Sequence, residues 1–262
     1  MSNDKLLSGR GALITGGGRG IGAAVARALA SAGAAVTVSA RSTDQIEKVA
    51  QELRDEGHEA HAVTCDVANP EQVEHLCRQA AELMGRVDIL VNNAGIASSA
   101  PLAKESLEQW NKIFAVNVTG VFLCSRAVIS GMTEAGWGRI VNVASVAGKA
   151  GSPYISTYTA SKHAVVGFTR AVAVEVAKKG VTVNAVCPGY VDTDMSDHTV
   201  ATITGKTGMS PDKARKVLED MSPQGRIFTS EEVAAQVLHL CLPLSGGVNG
   251  QSLVLDGGAF QA

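Results

Sequence analysis

Tyr158 and Lys162 stand four residues apart in the stretch Tyr158-Thr159-Ala160-Ser161-Lys162, with no Gly or Pro between them. On a helix that spacing stacks both side chains on one face. An ammonium held near a phenol favours the phenolate, so the pair could present a tyrosine tuned for proton transfer near neutral pH. Ser145-Val146-Ala147-Gly148 lies upstream and offers a hydroxyl. Together with a glycine-rich turn near the N-terminus, these residues make an enzyme the leading reading.

The turn reads Gly16-Gly17-Gly18-Arg19-Gly20-Ile21-Gly22 and follows the apolar run 11–15 directly. Glycines at Gly16, Gly20 and Gly22 let the backbone approach a pyrophosphate lodged against the N-terminus of the next helix. The spacing is GxxxGxG, and no Lys followed by Ser or Thr closes this turn, which argues against a nucleoside-triphosphate loop. After the second strand the residues are Ser39-Ala40-Arg41-Ser42. No carboxylate stands there to accept from an adenosine ribose, whereas Arg41 could pair with a 2'-phosphate. Arg19 could add a second positive charge. These features favour NADP(H), with NAD(H) the alternative.

The elements that must position these groups alternate along the chain. Strands are expected at 11–15, 35–39, 60–65, 87–91, 139–144, 181–187 and 252–255. Helices are expected at 21–32, 43–56, from Asn69-Pro70 onward, 106–116 leading into one ending near 133, 156–179 and 230–241. The strands are rich in Val and Ile and poor in alternating polar residues, as strands buried on both faces are. Strands alternating with helices predict an α/β fold: a doubly wound parallel sheet with helices on both faces, in a single domain spanning residues 1–262. Residues 191–229 break the rhythm as an irregular insert with one helix at 211–220. Such a stretch is often a lid or binding loop.

Composition excludes several classes. The chain has 262 residues, 45% of them hydrophobic, and a net charge of -2. That balance gives no reason to expect nucleic acid or a strongly charged membrane surface. No secretory h-region is visible, and no run reaches the length needed to span a bilayer. The five cysteines are odd in number and form no CxxC pair, which predicts buried thiols in a reducing compartment and a cytoplasmic location. There is no metal-ligand spacing and no GxSxG elbow. His163 adjoins Lys162, but neighbours on a helix do not share a face, so it is assigned to packing.

The residues resemble the short-chain dehydrogenases/reductases over nearly the whole chain. Thr15 to Gly22 resembles that family's cofactor turn, including Ile21, and Asp66-Val67 the pair whose acid meets the adenine ring. Asn92-Asn93-Ala94-Gly95 is similar to the element after strand four. Asn117, Ser145, Tyr158 and Lys162 match the catalytic tetrad. Pro188-Gly189, Val191 and Thr193 resemble the segment that contacts the nicotinamide, and Asp256-Gly257-Gly258 also matches. The resemblance implies about seven strands in a Rossmann-like sheet, a nicotinamide cofactor and a homotetramer. It is closest to ketoacyl and polyketide ketoreductases, through residues 161–169 and 184–189.

It further implies hydride transfer to a carbonyl carbon. Tyr158 would donate the proton to the carbonyl oxygen, Lys162 would hold the nicotinamide ribose and bias Tyr158 toward phenolate, and Ser145 would orient the substrate oxygen. Asn117 would support a water-linked path to Lys162, and Asn92 would fix the turn near the ribose. Val146, Lys149, Pro153, Tyr154, Tyr190 and the insert would line an apolar pocket. The substrate is expected to be a ketone: beta-ketoacyl, polyketide-like or cyclic, free or as a coenzyme A or carrier-protein thioester. An NAD-dependent secondary alcohol or dihydrodiol dehydrogenase is the alternative, and a non-catalytic nucleotide-binding scaffold a third reading.

Overall fold

Seven short runs rich in Val, Ile and Ala become strands, and each pairs in parallel with its neighbours. In the computed structural model, which describes residues 6–261, they are β1 (Gly11–Thr15), β2 (Ala35–Ala40), β3 (Ala60–Thr64), β4 (Ile89–Asn92), β5 (Gly138–Val143), β6 (Val181–Pro188) and β7 (Ser252–Leu255). Their order is β3-β2-β1-β4-β5-β6-β7. β1, β4, β5 and β6 are buried along their whole length, as their continuous apolar character requires. Strand ends differ from expectation by a residue or two; the fourth strand, for example, runs to Asn92.

The helices are α1 (Gly20–Ser31), α2 (Thr43–Asp55), α3 (Pro70–Met84), α4 (Leu107–Phe114), α5 (Gly120–Glu134), α6 (Ser156–Val176), α7 (Asp194–Thr207), α8 (Pro211–Glu219) and α9 (Ser230–Cys241). Apolar residues of α1, α2 and α9 pack on one face of the sheet. Those of α3, α5 and α6 pack on the other. Local signals set several starts. Asn69 accepts from the Gln72 N–H at 3.1 Å with Pro70 at the first helical position, and Thr229 with Glu232 forms a reciprocal cap on α9.

Three expectations need correction. The insert holds two helices, since α7 precedes α8. α7 buries only Ser196 and carries no apolar stripe, so its pattern could not announce it; Asp194 and Asp197 in its first turn suit the helix dipole. The helix expected at 106–116 and its continuation are one rod, interrupted by a π turn at Ala115–Thr119. By length and composition that rod, Leu107–Glu134, is apolar enough to cross a membrane, contrary to the sequence reading. Here its apolar side lies against β4, β5 and α3.

The sheet reverses its winding between β1 and β4. Ligands of such sheets sit in the crevice outside the carboxyl ends of the strands at that point. Thr15 and Asn92 face each other there, the last residues of their strands. Asn93 ties the two sides together: its Nδ2 donates to the carbonyls of Thr15 (3.1 Å) and Gly16 (3.0 Å). The Thr15 hydroxyl accepts from the N–H groups of Asn93 and Ala94. At the opposite end of the sheet, buried Asp88 accepts from the Gly11 N–H (3.0 Å) and from Arg10 and Arg86.

Gly22 permits this crevice, because a Cβ on it would collide with the Gly16 carbonyl and with Asn93. Gly22→Ala is therefore expected to destabilise the fold by roughly 1–3 kcal/mol, the usual cost of overpacking. Thermal unfolding should show a midpoint several degrees below wild type, and an unchanged midpoint would contradict the close packing.

Candidate active site

β5 delivers its chain into the crevice, and Ser145 follows two residues after its end. Ser145 starts a short 3-10 turn, Val146–Gly148, and its Oγ accepts from the Ala147 N–H at 3.1 Å. Gly148 then lies against α6, since a Cβ there would stand 2.8 Å from the Lys162 carbonyl oxygen. That close approach brings Ser145 to the face of α6 that carries Tyr158 and Lys162.

The four-residue spacing places both side chains together as expected. The Lys162 ammonium lies 5.6 Å from the centre of the Tyr158 ring. Lys162 is only 5% exposed, and its Nζ donates to the Val143 carbonyl at 2.9 Å. Burial lowers its pKa to about 8. Burial likewise pushes the Tyr158 hydroxyl up to about 12, and an interaction with Ser145 pulls in the opposite direction. This corrects the sequence reading. In the protein by itself burial dominates, Lys162 is not among the groups acting on Tyr158, and the phenol stays protonated at neutral pH.

Asn117 sits in the π turn, the mid-helix irregularity where an amide can satisfy backbone groups. Its Oδ1 accepts from the Ile96 N–H (2.9 Å), and its Nδ2 donates to the Ile96 carbonyl (2.9 Å) and to Ser161 Oγ (3.1 Å). The side chain thus fastens the loop after β4 to α6. Its Oδ1 and the Lys162 ammonium border the same space, as both lie within 4 Å of where a Gly95 Cβ would project.

Asn92 is expected to fix the turn after β4, but Asn93 does that and Asn92 bonds inward. It is buried, and its Nδ2 donates to Asn142 (2.8 Å) and Ser125 (3.2 Å). Asn142 in turn donates to Thr169 at 2.8 Å. This paired polar chain joins β4, β5, α5 and α6. Sequence reading missed Asn142 and Thr169 as positioning residues. The available signal was one amide inside an otherwise apolar strand, Ile140-Val141-Asn142-Val143.

The remaining candidates ring the glycine turn. Gly16 and Gly20 adopt φ of 65° and 51°, and Arg19 stands at the start of α1. Arg19 is not free: it pairs with Asp194 of α7 at 2.6 Å. Beside it, the Thr193 methyl comes within 3.1 Å of where a Gly20 Cβ would project, and the Thr193 hydroxyl donates to the Val191 carbonyl. The insert is thus seated on the cofactor turn. Arg41 is exposed at the end of β2 and makes no ion pair among the described residues.

Asp66 holds its own turn, accepting from the Ala68 N–H at 3.0 Å, while Val67 packs against Gly120. Pro188 ends β6, and Gly189 lies against Asp256. Tyr190 is close enough to Tyr158 to raise its pKa further, whereas Pro153 and Tyr154 are exposed, Tyr154 at φ 67°. His163 points away, its ring at 3.0 Å from the Thr159 carbonyl. A cradle that tolerates no Cβ, at a helix N-terminus, with an unpaired arginine beside it, fits a phosphorylated dinucleotide.

The short chain dehydrogenase family profile matches residues 10–204. The chain belongs to the short-chain dehydrogenase family. These proteins are oxidoreductases, and comparisons place this one beside ketone reducers. It is 39% identical over 249 residues to ketoacyl reductase 1 of the granaticin polyketide synthase from Streptomyces violaceoruber, covering 94% of this chain and 92% of that one. It is 40% identical to a 3-oxoacyl-(acyl-carrier-protein) reductase from Synechocystis sp., covering 96% and 97%. A crystal structure of a variant actinorhodin polyketide ketoreductase with NADPH superposes with a TM-score of 0.93 at 40% identity, covering 98% of each chain.

This short-chain dehydrogenase holds in its interior an ammonium that has no carboxylate counterion among the described residues, which couples stability to pH. The folded pKa of Lys162, about 8, lies below its ordinary 10.5, so the unfolded chain binds that proton more tightly. The penalty is full below pH 8 and is relieved as pH rises toward 10.5. Wild type should gain stability relative to Lys162→Met across that window, by on the order of 2 kcal/mol. Urea denaturation of both proteins at neutral and alkaline pH measures this, and a constant difference would refute the buried charge.

Proposed function

We propose that this chain is an NADP(H)-dependent ketoreductase that reduces a ketone to a secondary alcohol. The observation that carries the reading is the convergence of Ser145, Tyr158 and Lys162 at the crevice beside the glycine turn. When bound, the nicotinamide supplies the hydride. Tyr158 is protonated at neutral pH and donates to the carbonyl oxygen as negative charge develops there. Ser145 donates a hydrogen bond to the same oxygen and orients it. Lys162 holds the nicotinamide ribose, and its charge stabilises the tyrosinate left after proton transfer. Asn117 positions Ile96 and Ser161 around it and supports a water-linked path toward Lys162.

In this reading Gly16, Arg19, Gly20, Ile21 and Gly22 bind the pyrophosphate side. Arg41 takes the 2'-phosphate, Asp66 and Val67 border the adenine, and Asn93, Ala94 and Gly95 the ribose. Pro188, Gly189, Val191 and Thr193 face the nicotinamide. The relatives' names support a ketoacyl substrate, carried by a protein in the Synechocystis enzyme. Residues 1–262 act as one nucleotide-binding domain, with 191–229 as its substrate loop. All five cysteines are buried and free, which suits the cytoplasm.

We further propose a homotetramer. Leu107, Phe122 and Val174, the last 79% exposed, present apolar surface on the α4–α6 layer that further copies would cover. Light scattering that returned the 27.0 kDa monomer would overturn this assembly.

The central experiment follows cofactor oxidation against a ketone panel. Tyr158→Phe should lower kcat by about 10²–10⁴-fold while NADPH still binds. Wild type should prefer NADPH to NADH, and Arg41→Ala should erode that preference. Retained turnover in Tyr158→Phe, or NADPH binding without turnover of any ketone or alcohol by wild type, would sink the mechanism. Equal efficiency with both cofactors would favour the NAD-dependent dehydrogenase instead.

A further inference from the structure

Lys149 closes the short turn that begins at Ser145, and its N–H donates to the Val146 carbonyl at 2.9 Å. The side chain is half-buried. Among the described residues its ammonium makes no ion pair and no hydrogen bond, and rests instead 5.5 Å from the centre of the Phe260 ring. Phe260 is itself held in place. The Asp256 carboxylate accepts from the N–H groups of Gly258 (2.9 Å) and Phe260 (2.7 Å), and Asp256 packs beside Gly189. Lys149 therefore spans from the Ser145 turn to the chain that follows β7, along one wall of the reaction crevice.

The Cys187 thiol, beside Ser145, feels the cations Lys149, Lys162 and Arg170, and no carboxylate is among the groups acting on it. Of the two acids that line the hollow beside Phe260, Asp256 is satisfied by backbone donors and Glu232 is paired with Arg226. An ammonium lying over a ring face keeps other N–H bonds free, since lysine carries three donors. A half-buried cation with free donors is built to receive an anion.

Deepening the ketoreductase reading and resting on it, we infer that Lys149 anchors a carboxylate on the substrate, so that the natural substrate is an oxo acid rather than a neutral ketone. The spacing selects a short molecule. A 3-10 turn advances about 2 Å per residue, so the Lys149 backbone stands roughly 8 Å along the chain from Ser145. A carboxylate two or three bonds from the reacting carbonyl falls within reach of the lysine side chain. The phosphates of a pantetheine thioester lie at the far end of a long arm and do not.

The reaction balances without a further reagent. The carbonyl carbon gains the hydride of NADPH, the C=O π bond opens, and its oxygen takes the Tyr158 proton. The products are a hydroxy acid, NADP+ and a Tyr158 tyrosinate, which takes a proton from solvent to return to the phenol; the carboxylate at Lys149 is unchanged.

The test compares 3-oxobutanoate with its methyl ester, and asks for the ratio of their kcat/KM values with NADPH. Wild type should favour the acid, and Lys149→Gln should lower the acid-to-ester ratio at least tenfold, mainly through KM. Lys149→Arg should restore much of the ratio. An unchanged ratio in Lys149→Gln, or an equal loss on both substrates, would overturn the anchor and leave Lys149 a structural residue. Wild type that reduces other ketones but prefers the ester would remove this inference alone. Wild type inert toward every ketone would remove the ketoreductase reading itself.

Discussion

A positive charge buried without a carboxylate organises this molecule. Taking an ammonium out of water is costly, and proteins ordinarily pair such a group or neutralise it. Lys162 has only the Val143 carbonyl as a fixed partner, and its lowered pKa records the strain. The surroundings are arranged to hold it nonetheless. Gly148 lets the Ser145 turn press against α6, and Asn117 fastens the Ile96 loop from the other side. The buried chain Ser125, Asn92, Asn142, Thr169 keeps α5 and α6 in register with the sheet. Stability is sacrificed at one point so that, in the proposed reaction, a charge stands beside the tyrosinate left by proton transfer.

The second constraint is topological. Because the sheet reverses between β1 and β4, the ends of those strands part and leave a crevice. Thr15 and Asn93 stitch its floor, and the glycine turn lies open above it. Around the rim, cations predominate: Arg19, Arg41, Lys149 and Lys162. The insert reaches this rim through Asp194 and Thr193, so the proposed substrate loop also touches the glycine turn. Both Arg19 and Asp194 are exposed, so their ion pair is weak and can yield to a phosphate.

Much of this was legible in advance. Continuous Val and Ile runs separated by helical spacing specify a parallel sheet, because only strands covered on both faces can dispense with polar residues. The turn from Gly16 to Gly22 and the pair Tyr158, Lys162 were readable because their chemistry depends on local spacing. Asn117 was legible only through the family resemblance, and the structure places it in the π turn. Other features escaped. α7 has no apolar stripe, so nothing periodic marked it. Asn92 and Asn93 are adjacent and identical in type, and only strand alternation decides which one is buried with Asn142 and which one faces the crevice.

The sequence by itself therefore determined the strand and helix types, the glycine turn and the shared face of Tyr158 and Lys162. Each rests on spacing along a few residues, which the backbone geometry converts directly into shared faces. Tertiary structure alone decided the protonation states and the partners. Desolvation depends on every element packed around a group, so no local pattern could reveal that Tyr158 stays a phenol near neutral pH or that Lys162 gives up part of its basicity. The meeting of Arg19 with Asp194, and of Lys149 with Phe260, joins residues far apart in the chain, and only the folded sheet brings them together.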